Sequence, residues 1–222
     1  MDYRYVGAPQ IVADYLIQTI SSHLARGEKV TWLITGGSGM LIDRLVAEGL
    51  RDVDTTQLSV TLSDERYGPV GHPDENWQQL LDAGFSVPGA QLHRVLTGND
   101  RATTTAAFSQ LLGKLLDEAD YSIGLFGIGP DGHTAGIKPR SSSVSAPDFA
   151  ADFTGDDFER ITMTAIAIQQ LDEAVVAAFG EAKFPTLKQL LYEDIPPDEQ
   201  PAQLLKSVKK CTIFTDYKEE KS

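Results

Sequence analysis

Three short stretches of the chain carry side chains able to do chemistry. The first is Gly36-Gly37-Ser38-Gly39. Glycines permit tight turning, and free N–H groups at a helix start can hold a phosphate. The second is Asp64-Glu65-Arg66. A guanidinium can grip a phosphate through two parallel N–H bonds, and either carboxylate can bind sugar hydroxyls or handle protons. The third is Gly127-Ile128-Gly129-Pro130-Asp131-Gly132-His133. Gly, Pro and Asp bend this loop sharply, and an imidazole at its end can take a proton from water. Asp131, two residues earlier, is spaced to orient that ring. Each stretch also has a plainer reading: a glycine turn without ligand, a surface ion pair, a surface histidine.

Several familiar motifs fail here. A P-loop needs a Gly-Lys-Ser/Thr ending, which Gly36–Gly39 lacks. A dinucleotide fingerprint needs glycine at Ile42, and a nucleophile elbow around Ser38 needs glycine at Met40. His72, His93 and His133 have no paired-ligand spacing, so no metal site is expected.

The elements that position these stretches follow from periodicity. Gln10 to Arg26, Met40 to Leu50, Asn76 to Ala83, Ala102 to Glu118, Lys183 to Tyr192 and Pro201 to Val208 read as helices. Val30 to Ile34, Leu58 to Leu62, Leu92 to Leu96, Tyr121 to Phe126, Ile161 to Ile168, Ala174 to Phe179 and Cys211 to Phe214 read as strands. Ser141 to Asp157 reads as a polar loop, and Trp32 and Trp77 as core. Strands alternating with helices predict an α/β fold: a single domain over residues 1–222, with a Rossmann-like, mostly parallel sheet flanked by helices on both faces. In such sheets the ligand crevice lies beyond the carboxyl ends of the strands, where all three stretches fall.

Composition narrows the partners. The 222 residues carry 19 Lys plus Arg against 32 Asp plus Glu, a formal net charge of -13. That field repels nucleic acid and anionic membrane, so neither is an expected partner. An anionic ligand needs a locally basic pocket. The single cysteine, Cys211, allows no internal disulfide, suits a reducing compartment and reads as an inert core residue. Met1 to Tyr5 shows no signal-peptide pattern and no apolar run is long enough to span a bilayer, so a cytoplasmic protein is expected.

Taken together, the stretches resemble the 6-phosphogluconolactonase family, within the glucosamine-6-phosphate isomerase/deaminase superfamily. The resemblance rests on Leu33-Ile34-Thr35-Gly36-Gly37-Ser38, Ser63-Asp64-Glu65-Arg66-Tyr67-Gly68-Pro69, His72-Pro73-Asp74-Glu75-Asn76-Trp77 and Gly127 to Ala135. Arg160-Ile161-Thr162-Met163-Thr164 and Gly180-Glu181-Ala182-Lys183 extend it. It implies hydrolysis of 6-phospho-D-glucono-1,5-lactone to 6-phosphogluconate, without a cofactor, on a small sugar-phosphate substrate. By position His133 matches the family's catalytic base, with Asp131 and Asp64 as polar partners near the histidine or the ring. Gly37, Ser38, Arg66 and Lys183 match the phosphate end, while Gly36, Glu65, Asn76 and Gly132 match further substrate-binding positions. A monomer or small homo-oligomer is expected.

The chain departs from the family pattern at two places. Gly39 and Met40 replace the usual Thr-Pro, and Gly136-Ile137-Lys138-Pro139 replaces Ser-Leu-Phe-Pro. Lys138, with Arg140, is expected either to supplement phosphate binding or to point to solvent. The deaminases carry a glutamate at the position of Lys138 and a tyrosine at that of Arg66, which favours the lactonase. A deaminase/isomerase-like enzyme and a non-catalytic sugar-phosphate-binding protein are the alternatives.

Overall fold

The computed structural model describes residues 1–218. In chain order its strands and α-helices are β1 (Asp2–Tyr5), α1 (Pro9–Leu24), β2 (Val30–Ile34), α2 (Met40–Gly49), β3 (Leu58–Leu62), β4 (Asp64–Arg66), α3 (Asn76–Asp82), β5 (Gln91–His93), α4 (Arg101–Glu118), β6 (Tyr121–Gly127), β7 (Ala150–Thr154), β8 (Glu159–Met163), α5 (Ala165–Gln170), β9 (Glu173–Ala178), α6 (Phe184–Tyr192) and β10 (Lys210–Thr215). Seven strands form a parallel sheet in the order β1-β10-β9-β6-β2-β3-β5.

The middle of the sheet is largely buried. Every residue of β2 and β9 is buried, which fits their continuous apolar runs. Successive side chains of β2 serve opposite layers. The hydroxyl of Thr31 donates to the Leu115 carbonyl on α4, while the indole of Trp32 tilts against Phe85 just beyond α3. Helices therefore cover both faces. Pro9 opens α1, whose buried stripe runs through Val12, Leu16, Ile20 and Leu24. The Asp100 carboxylate caps α4 by accepting from the Thr103 N–H at 3.0 Å. No helix among the described residues is long and apolar enough to cross a membrane.

Several expectations are corrected. Ile161 to Ile168 is not one strand: β8 ends at Met163, and Ala165–Gln170 is helical. Ser141 to Asp157 is not only loop, because Ser142–Ser145 forms a 3₁₀ turn and Ala150–Thr154 is β7. Asp64-Glu65-Arg66 is strand β4, in a three-stranded sheet of order β4-β8-β7 with antiparallel pairing. The strand expected at Leu92 to Leu96 is Gln91–His93, and Pro201–Ser207 is 3₁₀ rather than α-helical. Lys183 precedes α6, in the 3₁₀ turn Glu181–Lys183. β1 is an addition, pairing in parallel with β10.

Candidate active site

The strand order reverses between β2 and β6. From β1 the chain advances through β2, β3 and β5, then returns through β6, β9 and β10. A crevice opens at such a reversal because the loops leaving the two neighbouring strands depart in opposite directions. The loop after β2 holds Gly36 and the 3₁₀ turn Gly37–Gly39. Gly37 has φ +57°, a backbone that glycine adopts without strain. A Cβ at Gly36 would collide with the Asn76 amide, so the turn packs directly on α3. Asp43, fully buried in α2, anchors the loop by accepting from the Thr35 N–H at 3.1 Å. Burial pushes its carboxyl well up.

The loop after β6 closes on itself. The Gly129 N–H donates to the His133 carbonyl at 2.9 Å and the Gly132 N–H to the Gly129 carbonyl at 3.0 Å. Two outside groups brace it. The Thr186 hydroxyl donates to the Pro130 carbonyl at 2.8 Å, and the Ala202 N–H to the Gly132 carbonyl at 2.9 Å. At its end His133 Nδ1 lies 2.5 Å from Asp131 Oδ1. The hydrogen bond from His133 holds the Asp131 carboxyl well below the usual carboxylate range, against the opposing effect of burial. A carboxylate can only accept, so Nδ1 donates and the lone pair of the neutral ring sits on Nε2.

β4 supplies the opposite wall. Asp64 is buried, 3.7 Å from the Arg160 guanidinium. Burial raises its carboxyl, while the charges of Arg160 and His133 pull it back. In the β4–β8 ladder Arg66 sits opposite Arg160. Both guanidinium groups approach the Phe158 ring, at 4.7 and 5.6 Å. Like charges in facing positions repel. Here Arg160 is relieved by Asp157, at 2.7 Å, as well as by Asp64. The Nε atoms of Arg66 and Arg160 are buried without a hydrogen-bond partner. Lys183 Nζ lies 3.5 Å from Ser38 Oγ, and burial lowers the affinity of its ammonium for the proton.

These walls enclose a cleft of about 340 Å³. Gly36, Gly37, Ser38, Asp64, Arg66, Asn76, His133 and Lys183 all line it. Asp131 does not, and meets it through His133 and Lys138. Glu65 is not brought to the cleft. It is fully buried, and its carboxylate accepts from the N–H groups of Arg66 (2.7 Å), Asn76 (2.7 Å) and Trp77 (3.0 Å). It therefore ties β4 to the start of α3. Gly132 faces Gln200, away from the cleft. Thr35, Lys138, Asp157 and Arg160 line the cleft as well. Of these only Lys138 stands out in sequence as a charge near the histidine. Arg160 and Asp157 reach the site through the β7–β8 hairpin, which the sequence presents as a polar loop and one long strand. Arg140 does not line the cleft; its N–H donates to the Asp198 carbonyl at 2.8 Å.

The arrangement suits hydrolysis of a small anion. A histidine held by a carboxylate shares one cleft with the cations of Arg66, Arg160, Lys138 and Lys183. Local positive charge makes an anionic ligand compatible with a net-acidic chain. Among the described residues, no group of three or more His, Cys, Asp or Glu side chains could hold a metal ion.

Comparison with known proteins places this geometry in context. Residues 8–214 match the family described as glucosamine-6-phosphate isomerases/6-phosphogluconolactonase. A 6-phosphogluconolactonase of Mycobacterium leprae is 29% identical over 186 residues, covering 76% of this chain and 75% of the relative. In fold, a 6-phosphogluconolactonase from Thermotoga maritima superposes with a TM-score of 0.80 at 20% identity, over 96% of this chain and 98% of that one. A monomeric glucosamine-6-phosphate deaminase gives a TM-score of 0.81 at 18% identity, over 97% of both chains.

Proposed function

The chain belongs to the glucosamine-6-phosphate isomerase/6-phosphogluconolactonase family, and from that membership we propose that it is a cytoplasmic, single-domain enzyme hydrolysing 6-phospho-D-glucono-1,5-lactone to 6-phosphogluconate. The observation that carries the reading is the His133–Asp131 pair, set in the same cleft as Ser38, Arg66 and Lys183. Ser38, Lys183, Arg66 and the N–H groups of the Gly36–Gly37 turn hold the phosphate. Asp64 and Asn76 face the ring.

With the phosphate anchored, the lactone carbonyl is presented to a water at His133 Nε2. The imidazole takes a proton as the water oxygen bonds to C1, and Asp131 offsets the charge of the imidazolium. Negative charge gathers on the former carbonyl oxygen, where N–H donors stabilise it. Collapse of that intermediate breaks the bond from C1 to the ring oxygen, and the imidazolium returns its proton to the leaving oxygen. The new carboxylic acid loses its proton to solvent.

Lys138 in the cleft supports the lactonase over a deaminase, which by resemblance carries a glutamate there. The test is hydrolysis of freshly made lactone, coupled to 6-phosphogluconate dehydrogenase, with spontaneous opening subtracted. His133→Ala should lose roughly 10²–10⁴-fold in rate, the usual contribution of a general base. Arg66→Ala should raise KM strongly. No native rate above the spontaneous one refutes the proposal, and turnover of glucosamine 6-phosphate instead supports the deaminase.

A further inference from the structure

Asp131 has two oxygens, and His133 uses one. Oδ1 lies 2.5 Å from His133 Nδ1; Oδ2 lies 3.8 Å from Lys138 Nζ. The same ammonium is 3.9 Å from Asp157 Oδ2, whose carboxylate is bonded to Arg160 at 2.7 Å. Lys138 is thus stationed between the loop after β6 and the β7–β8 hairpin. It is not beside Ser38 and Lys183, which meet each other elsewhere in the cleft.

The backbone around Lys138 is fixed. Thr134 and Ile137 form an antiparallel bridge, with the Ile137 N–H donating to the Thr134 carbonyl at 2.9 Å. Ile137 is fully buried. The Lys138 carbonyl accepts from both the Ser141 N–H, at 3.1 Å, and the Ser141 hydroxyl, at 2.6 Å. Pinned on both sides, the lysine has a restricted set of directions in which to extend.

We propose that Lys138 is a positioning residue for His133: its ammonium holds the second oxygen of Asp131 and offsets that carboxylate's charge at the imidazole. The inference rests on the hydrolytic reading of the site. A carboxylate beside a histidine favours the imidazolium, which cannot accept a proton from water. A cation on the far side of that carboxylate opposes this without breaking the bond that aims the ring. The other charged groups sharing the cleft are Asp64 from β4, Arg66 from β4, Arg160 from β8, Asp157 from the hairpin and Lys183 before α6. Asp64, Asp157 and Arg160 are already paired within that set. Lys138 is the member that contacts Asp131.

Two unit charges linked through one carboxylate in a water-like medium shift one another's titration by about half a pH unit. Lys138→Met should raise the His133 titration midpoint by that amount, and Lys138→Arg should restore most of it. The midpoint is read by NMR of the imidazole carbons, with His133 assigned through His133→Ala. In the coupled lactone assay the acidic limb of kcat/KM should move up in parallel, a loss of about threefold at a pH on that limb. KM at the alkaline plateau should stay within twofold. A folded Lys138→Met protein whose His133 midpoint does not move overturns the proposal. So does a several-fold rise in KM with an unmoved midpoint, which would make Lys138 a phosphate ligand. The titration needs no turnover, so absence of lactonase activity would count against the proposed reaction while the midpoint still decides the role of Lys138.

Discussion

Glu65→Ala is the perturbation that best separates support from contact. The native carboxyl group accepts three N–H bonds in a fully buried setting. Removing it strands the donors of Arg66, Asn76 and Trp77. An unsatisfied buried donor costs about 1–3 kcal/mol. Truncation also vacates space in which water can reach some of those donors, so the low end applies, about 1 kcal/mol for each. The expected loss is about 3 kcal/mol, or roughly 6–12 °C in Tm for a chain of this size.

The loss should depend on pH. Burial pushes the Glu65 carboxyl from its ordinary 4.5 up to about 8, although the three N–H groups oppose the rise. Across that window the folded chain holds a proton that the unfolded chain has released. Stability contributed by Glu65 therefore falls as pH rises from 4.5 towards 8, by at most ~1.4 kcal/mol per pH unit. Alanine cannot titrate, so the gap between the native and variant proteins should narrow from pH 5 to pH 8. Urea unfolding and thermal melts at both pH values measure it, with KM for the lactone taken on the same samples. A variant melting within about 2 °C of native at pH 5, with KM raised several-fold, would show Glu65 to be a substrate ligand and refute the reasoning.

Two further outcomes are expected. A Cβ at Gly129 would collide with the His133 imidazole and the Asp131 carboxylate, so Gly129→Ala should cost at least about 10² in turnover; a fully active variant would mean the loop tolerates another conformation. The Cys211 thiol is buried and pushed up to about 12, so it should resist Ellman's reagent in the folded chain and react once urea unfolds it. Rapid labelling without denaturant would contradict that burial.

The glycine turn and the histidine loop were legible in sequence because their chemistry is local. Each is a turn-forming segment leaving an apolar run, and each lines the cleft where the strand order reverses. The β7–β8 hairpin was hidden for the opposite reason. Ala150-Ala151-Asp152-Phe153-Thr154 has little strand character of its own and becomes extended by pairing with β8. Past Met163 the apolar alternation continues into Ala165-Ile166-Ala167-Ile168, yet the Thr164 carbonyl accepts from the Ile168 N–H at 3.0 Å and the chain turns helical. Period-two and helical readings coincide over so short a run, and long-range contacts decide between them. The burial of Glu65 is not legible in sequence, because its type and position suit a ligand equally well. Only the meeting of β4 with the start of α3 brings the Asn76 and Trp77 amides to it, beside that of its neighbour Arg66.

The edge pairing of β1 with β10 joins Asp2 to Thr212 and Tyr5 to Thr215. Among the described residues, β1 thus waits for β10, far later in the chain, before it has a neighbour in the sheet. Until then its backbone donors and acceptors are met by water. Contacts so distant in sequence are slow to form, because chain entropy must be surrendered before they return anything. On the ribosome, β2, β3 and β6 can assemble around the cleft while Asp2–Tyr5 is still unpaired. The strands whose loops begin the cleft are therefore not the ones that complete this edge. Because β1 and β10 run in parallel, the start of one and the end of the other lie at opposite ends of the pair, so linking them takes a crossover of about a dozen residues rather than a tight turn.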